Sequence, residues 1–171
     1  NIMITVEYLD NKELYKLVYG GTSLPIDRSV FKRIKYFDVS DVNCYSKKPS
    51  YSVALKEDET IIGLAKIAHY SMDNLSDNEY SLGYLSIDIK HRNKGYTRLM
   101  CDEMFSNLKQ QGLELRTSSY TYAGFIKLRK LLNFYSEKYN VKFYDKSDTD
   151  YLITPESMYD SNLNMIGEFG N

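Results

Sequence analysis

A short basic loop, residues 92–97, carries the clearest potential for chemistry in this sequence; it reads Arg-Asn-Lys-Gly-Tyr-Thr. Arg92, Lys94 and Arg98 supply positive charge. Gly95 would let the backbone approach a ligand closely. Because the first turn of a helix has amide hydrogens without an intrahelical partner, a helix that begins here could hold a phosphate group. The alternative is an ordinary strand-to-helix turn with solvated charges.

The segments on either side of the loop predict the elements that such a site requires. Before it, residues Leu82 to Ile89 form a strand-like run. After it, from Arg98 to Gln111, apolar residues recur at the i, i+3, i+4, i+7 spacing of one helical face: Cys101, Met104, Phe105 and Leu108. Strand, loop and helix therefore follow one another in the order in which anion sites are built.

Length and composition favour one ordinary domain. The chain has 171 residues, of which 43% are hydrophobic and 26% charged. We expect residues 1–154 to form that domain and residues 155–171 to be a tail of uncertain order. The formal net charge of -1, with scattered cations, argues against a nucleic-acid partner.

Targeting segments, cysteines and histidines in the sequence indicate the compartment and the partners to expect. The sequence has no signal peptide and no apolar run of transmembrane length, so we expect a cytoplasmic protein with no membrane partner, as a monomer or homodimer. Cys44 and Cys101 are too few for a disulfide framework, which fits a reducing compartment. Because His69 and His91 have no partner at metal-ligand spacing, no metal is predicted. We expect His69 to be structural and His91 to be exposed.

Hydrophobic periodicity along the whole chain predicts a layered α+β protein. The first helix, 11–18, is followed by a second that Asp27 or Ser29 would cap and that ends near Tyr36. The strands are predicted at 3–8, 51–56, 60–70, 80–89, 113–118, 141–144 and 151–154, and the later helices at 98–111 and 124–139. A hairpin followed by alternating strands and helices implies a mixed sheet with helices on its faces.

The loop with its strand and helix resembles the pyrophosphate motif of the GNAT superfamily of acyl-CoA-dependent N-acetyltransferases. That motif runs Arg or Gln, two residues, Gly, one residue, then Gly or Ala, and Arg92, Gly95 and Thr97 occupy its places. Thr97 is a departure, because its side chain is bulkier than the usual glycine. Residues 85–87, Leu-Ser-Ile, match the family's apolar strand end, and the order of elements matches from residue 51 to residue 144.

The resemblance implies a fold and a ligand. The fold would be a mostly antiparallel mixed sheet of about six to seven strands with helices on both faces, and the ligand acetyl-CoA as co-substrate. Backbone groups at three residues would bond the pantetheine arm and thioester carbonyl: Ile87, Asp88 and Ile89. Amides at six residues would surround the pyrophosphate: Asn93, Lys94, Gly95, Tyr96, Thr97 and Arg98.

The resemblance also implies a reaction, the transfer of an acetyl group from acetyl-CoA to a primary amine by direct attack in a ternary complex. Some relatives carry a glutamate base near the position of Ser81; the candidate here is Glu79, and its alternative is an ordinary solvated loop carboxylate like Asp73 and Asp77. Many relatives place a tyrosine acid in a run that residues 134–138, Phe-Tyr-Ser-Glu-Lys, match, which makes Tyr135 the candidate proton donor. Its alternative is a packed residue on the buried stripe of its helix.

Two further expectations concern the acceptor and the class of protein. The acidic loop 71–79 would suit a cationic amine, either a small molecule or a peptide. The competing class is a non-catalytic module of the same fold that binds acyl-CoA or a protein partner without turnover, and Ser81 at the glutamate position favours it.

Overall fold

The computed structural model describes residues 1–20, 30, 49–69, 78–117 and 124–145, and these residues contain one six-stranded sheet in the order β1-β2-β3-β4-β5-β6. The strands are β1 (Ile4–Asp10), β2 (Tyr51–Glu57), β3 (Thr60–His69), β4 (Glu79–Ile87), β5 (Glu114–Thr117) and β6 (Phe143–Asp145). The helices are α1 (Asn11–Tyr19), α2 (Tyr96–Gln111) and α3 (Arg129–Tyr139), with a 3₁₀ turn at Ile89–His91 and a π-helical turn at Gly124–Leu128.

Strand direction changes once across the sheet. The first four strands pair antiparallel with their neighbours, whereas β4 with β5 and β5 with β6 pair parallel. The parallel pairs follow from the connections, since α2 lies between β4 and β5 in the chain and α3 between β5 and β6. The predicted mixed, mostly antiparallel sheet is confirmed, with six strands.

Helices cover both faces of the sheet, as the resemblance implied. On one face, Leu14 and Val18 of α1 pack in a cluster with Ala54 and Leu64. On the other face, α2 and α3 pack over side chains that alternate with these, among them Val53, Leu55, Ala65 and Ile67. Because successive strand residues point to opposite faces, each central strand contributes to both cores.

Helix α2 provides the largest part of the second core. Every residue of its predicted stripe is buried: Cys101, Met104, Phe105 and Leu108. Burial of a large apolar side chain contributes about 1.5–3 kcal/mol, so this face holds the helix firmly on the sheet. The helix ends at Gly112, as predicted, whose positive φ of 68° suits glycine.

Several element boundaries differ from the sequence predictions. Helix α2 begins at Tyr96, two residues before the predicted Arg98, so that the basic loop leads directly into its first turn. Strand β4 begins at Glu79, which the periodicity placed in a polar loop, and ends at Ile87, because the chain turns away from the sheet after Asp88. The predicted helix 124–139 starts as a π-helical turn.

Some predictions fall outside the described residues. They are the second helix apart from Val30, which is buried, the strand 151–154 and the tail 155–171. The division at residue 154 therefore stays a prediction. Within the described ranges, none of the helices has the length and apolar character needed to cross a lipid bilayer.

Candidate functional site

The two edges of β4 pair over different lengths in the described residues. The parallel pairing with β5 runs from Glu79 to Leu82, where the partner is Thr117, and the description of β5 stops at that residue. On its other edge β4 stays paired with β3 as far as Ile87. Within the described ranges, the C-terminal half of β4 is thus paired with β3 alone, and a strand edge of this kind can present backbone donors and acceptors to a ligand.

Backbone hydrogen bonds show which groups of β4 face β3 and which face its opposite edge. The Asp88 amide donates to the Ile62 carbonyl of β3 at 2.7 Å, so it belongs to the sheet and is not available to a ligand there. Because backbone groups alternate sides along a strand, those of Leu85 and Ile87 face the opposite edge. The Ile87 carbonyl accepts a bond from Nε of Arg92 at 3.0 Å, which ties the basic loop to the end of the strand.

The loop has the backbone conformation of an anion site. Asn93 and Gly95 have left-handed φ values of 63° and 83°. Gly95 caps α2 and has no side chain to bond the first-turn amides, while its carbonyl accepts the first helical bond, from Leu99, at 3.2 Å. A Cβ added at Gly95 would meet no atom within 4 Å, so the loop faces open space. The glycine is required for its φ and leaves room at the helix start.

The charges around the loop are mostly positive. Lys90, Lys94 and Arg98 are exposed, and Arg92 is half-buried. Thr97, the departure from the family motif, is 1% exposed, so its side chain points into the protein and not across the mouth of the loop. The start of α2 therefore combines a helix dipole with formal positive charge.

Glu79, the predicted base, lies at the other end of β4. It is 8% exposed, so the alternative of a solvated loop carboxylate is wrong, and its carboxylate pairs with Arg116 Nε of β5 at 3.5 Å. Glu79 is eight residue steps from Ile87 along the strand, a distance of about 26 Å at roughly 3.3 Å per residue. The structure does not bring Glu79 together with the loop.

Tyr135, the predicted acid, is half-buried on α3 and packs against the larger core. Its ring meets Phe134 edge to face, with centroids 5.0 Å apart, and Nζ of Lys138 lies 5.6 Å from the ring centroid. The aromatic body is therefore anchored by packing. Its role in proton transfer stays a prediction.

Both histidines are covered by neighbouring side chains. His69 is 1% exposed, and its ring contacts that of Tyr80 at a tilt, with ring centroids 5.1 Å apart. The expectation that His91 is exposed is wrong, because its ring lies between the carboxylates of Asp88 and Glu57. The Asp88–His91 spacing of three residues could have indicated this contact, whereas the sequence gives no sign of Glu57 or of the Arg116 pair.

The described residues offer neither a reactive thiol nor a metal site. Burial, with a contribution from neighbouring Asp102, raises the pKa of the Cys101 thiol to about 12, so it stays protonated and unreactive at neutral pH. In the ranges that the structure describes, no group of three or more His, Cys, Asp or Glu side chains could hold a metal ion.

The sequence matches no protein-family model and no curated protein, but solved structures share its fold. An aminoglycoside acetyltransferase from an uncultured soil metagenomic sample, in complex with sisomicin, superposes with a TM-score of 0.51 at 10% identity, over 75% of this chain and 86% of that one. A predicted acetyltransferase with acetyl-CoA from Clostridium acetobutylicum gives 0.49 at 18% identity, over 89% and 96%. A GNAT-family acetyltransferase from Streptococcus pneumoniae gives 0.48 at 15%, over 75% and 82%. The chain has a GNAT-like fold.

Proposed function

We propose that this chain is an N-acetyltransferase, which moves an acetyl group from acetyl-CoA to a primary amine. One observation carries the proposal: in a GNAT-like fold, the C-terminal end of β4, which the described residues pair with β3 alone, leads within a few residues into a glycine-capped, basic helix start. A long ligand with a diphosphate at one end and a thioester at the other matches both features.

The donor would bind along β4 and across the loop. Amides of the loop and of the first turn of α2, from Asn93 to Arg98, surround the pyrophosphate, and Arg92 adds charge. The backbone edge at Ile87, with the adjoining Ile89, bonds the pantetheine arm. The Asp88 amide is already bonded to β3, which leaves Asp88 to hold the turn and not the ligand.

Transfer would be direct. The amine must be neutral to attack, and a free amine with a pKa of about 10.4 needs help to lose its proton at neutral pH. A backbone amide of the open strand edge stabilises the oxyanion. Because the Cys101 thiol is buried and stays protonated, it is unsuited to carry the acetyl group in a covalent intermediate.

Two side chains are candidates for the proton transfers. Tyr135 donates a proton to the departing thiolate, whose pKa near about 8.5 makes it a tolerable leaving group. Glu79 is the sequence candidate for the base, but its ion pair with Arg116 and its place at the N-terminal end of β4, where the strand is paired on both edges, favour a structural role. A relay of water molecules can then deprotonate the amine.

A small amine is the first acceptor class to test. The solved acetyltransferase that superposes at a TM-score of 0.51 holds sisomicin. The acidic residues Asp73 and Asp77, which lie outside the described residues, would attract a cationic amine.

Thermal unfolding with ligand tests the donor site. Acetyl-CoA at a hundred times its Kd should add about 2.7 kcal/mol to the free energy of unfolding, which raises Tm by roughly 5–10 °C for a chain of this size. Acetyl-pantetheine, which lacks the diphosphate, is the matched control and should shift Tm far less. Equal shifts from the two ligands, or none from either, would refute a diphosphate cradle.

Thiol release tests turnover. The chain, acetyl-CoA and a panel of an aminoglycoside, a polyamine and a lysine peptide should release free coenzyme A with at least one amine. Binding of acetyl-CoA without release by any amine would favour the alternative, a non-catalytic module of the same fold. The ion pair that occupies the Glu79 carboxylate is the observation that keeps this alternative open.

A further inference from the structure

His91 lies between two carboxylates from separate parts of the sheet. Its Nδ1 is 2.5 Å from Oδ2 of Asp88, and its Nε2 is 2.9 Å from Oε2 of Glu57. Asp88 is almost fully buried, and the other two side chains are largely covered. We refer to Glu57, Asp88 and His91 as the histidine clamp.

The two contacts hold the imidazole ring from both sides. Each ring nitrogen of His91 lies within hydrogen-bond distance of one carboxylate oxygen, so rotation of the ring would break at least one contact. The clamp therefore fixes the position of the ring between β2 and the turn that follows β4.

The clamp lies at the entrance to the basic loop. Glu57 ends β2 at the hairpin, Asp88 follows β4, and His91 is the last residue of the 3₁₀ turn, directly before Arg92. Backbone bonds secure the same turn: the His91 amide donates to the Asp88 carbonyl at 2.9 Å, and the Arg92 amide to the Ile89 carbonyl at 3.4 Å. The Asp88 amide, bonded to the Ile62 carbonyl, ties the start of the turn to β3, and the His91 side chain adds a contact between the end of the turn and Glu57 of β2.

We propose that His91 is a positioning residue for the donor loop: the clamp holds the end of the 3₁₀ turn against β2 and thereby fixes the direction in which Arg92 and the start of α2 face. The ligand in this statement rests on the proposed function. Without the histidine, the end of the turn loses its contact with Glu57, so the loop is held less firmly and donor binding weakens.

Substitutions in the full chain separate the two contacts. His91→Ala removes both, His91→Asn can place an amide donor near Asp88, and His91→Gln can reach Glu57. Acetyl-CoA Kd should rise roughly ten- to hundredfold in His91→Ala, the factor that one charge-assisted hydrogen bond is worth. His91→Asn, which keeps a donor for the buried carboxylate, should lie between this variant and the unmodified chain.

Steady-state kinetics distinguish positioning from a general loss of structure. The KM for acetyl-CoA should rise with its Kd, while kcat at saturating donor stays within about twofold. Lys138→Gln is the matched control, since Lys138 is a cation that bonds a carboxylate, Asp102 at 2.8 Å, on the exposed side of α2 and α3. It should leave the acetyl-CoA Kd unchanged.

Amide hydrogen exchange of the ligand-free protein tests the clamp independently of the ligand. Protection of residues 89–99 should fall in His91→Ala and in Glu57→Gln, which breaks the tie from the other side and serves if His91→Ala does not fold. Unchanged exchange in these residues would overturn the proposal, even if the unmodified chain binds no acetyl-CoA. The proposal would also be overturned if the unmodified chain bound acetyl-CoA and His91→Ala bound it with the same Kd.

Discussion

The two ends of β4 differ in what their backbones do. At its N-terminal end the strand is paired on both edges, with His69 opposite Tyr80 on one side and Glu114 opposite Glu79 on the other. Its C-terminal end is paired on one edge in the described residues and leads into a loop with left-handed backbone at Asn93 and Gly95. We refer to these as the closed end and the open end.

The difference shows where binding capacity comes from in this fold. At the closed end, pairing uses the backbone groups on both edges, and even the buried carboxylate of Glu79 has a cation, Arg116. At the open end, the described residues pair β4 with β3 alone, and the first turn of a helix has amide donors without an intrahelical acceptor. The open end is therefore suited to a ligand, and the closed end to stability.

The largest expected effect tests whether chemistry takes place beside the open end. Tyr135→Phe removes the proposed proton donor and leaves the ring that packs on the core. We expect kcat to fall roughly a hundredfold, the lower limit for general acid catalysis, with the KM for acetyl-CoA little changed.

Tyr139→Phe is the control for this variant. Tyr139 is four residues further along α3, and its hydroxyl donates to Asp102 at 2.7 Å. We expect it to lose about 0.5–1.5 kcal/mol of stability and no activity. If Tyr135→Phe were as active as the unmodified chain, Tyr135 would not be the proton donor and would serve only in packing.

The second prediction compares two glycines at opposite ends of α2. Gly95 and Gly112 both have left-handed backbone, at φ values of 83° and 68°, and a Cβ at either would meet no atom within 4 Å. Each alanine variant should therefore lose about 1–2 kcal/mol through backbone strain alone. Gly95→Ala should also raise the acetyl-CoA Kd roughly tenfold, as the strain turns the loop amides away from the ligand.

The measurement is acetyl-CoA binding by calorimetry beside thermal unfolding of the free chains. Gly112→Ala should bind as the unmodified chain does. If both variants lose binding equally, the effect belongs to helix stability and the open end has no special role.

The parts of this molecule that depend on local pattern could be predicted from the sequence. The buried stripe of α2 follows from apolar residues at helical spacing, and the end of this helix follows from the glycine at position 112. The mixed sheet with helices on both faces could be predicted because the order of the elements resembles that of the GNAT superfamily.

The rest depends on pairing between distant residues. The position of Leu82 opposite Thr117 is a matter of register between β4 and β5, which no local pattern determines. Likewise, Glu79 forms an ion pair with Arg116, which lies 37 residues further along the chain. A carboxylate in a polar stretch of sequence gives no sign of such a distant partner. This is why the basic loop and the helix after it could be predicted and the surroundings of Glu79 could not.

The third prediction concerns Glu79 itself. Glu79→Gln leaves a largely buried Arg116 facing a neutral amide, which should cost about 1–3 kcal/mol and lower Tm by roughly 2–10 °C. Because the closed end is remote from the loop, we expect kcat to stay within about twofold.

Glu114→Gln is the matched control on the neighbouring strand. Glu114 lies opposite Glu79 and pairs more loosely, at 3.9 Å from an exposed Lys142 Nζ, so its loss should cost less than about 1 kcal/mol. A fall in kcat of a hundredfold in Glu79→Gln at unchanged Tm would instead make Glu79 the general base and would remove the functional difference between the two ends of β4.

The smallest expected effect appears only in alkaline solution, at a row of tyrosines on the α2 side of the closed end. Ring centroids of Tyr8 and Tyr51 are 6.2 Å apart, and those of Tyr51 and Tyr80 6.1 Å. Burial, then the carboxylate of Glu103, raises the pKa of Tyr8 to about 12. Burial, then the neighbouring tyrosines, raises the pKa of Tyr51, and burial raises that of Tyr80.

The sign of the pH dependence follows from these directions. A raised pKa means that the folded state favours the neutral phenol, so the stabilisation is complete below about pH 10 and is lost as the pH rises toward 12. Tyr51→Phe removes one titrating group and should make the fall of Tm between pH 9.5 and about 11.5 shallower. Tyr15→Phe, at an exposed tyrosine of α1, is the control. A slope unchanged in Tyr51→Phe would mean that alkaline unfolding starts away from the row, which would leave the closed end no more sensitive to alkali than the rest of the molecule.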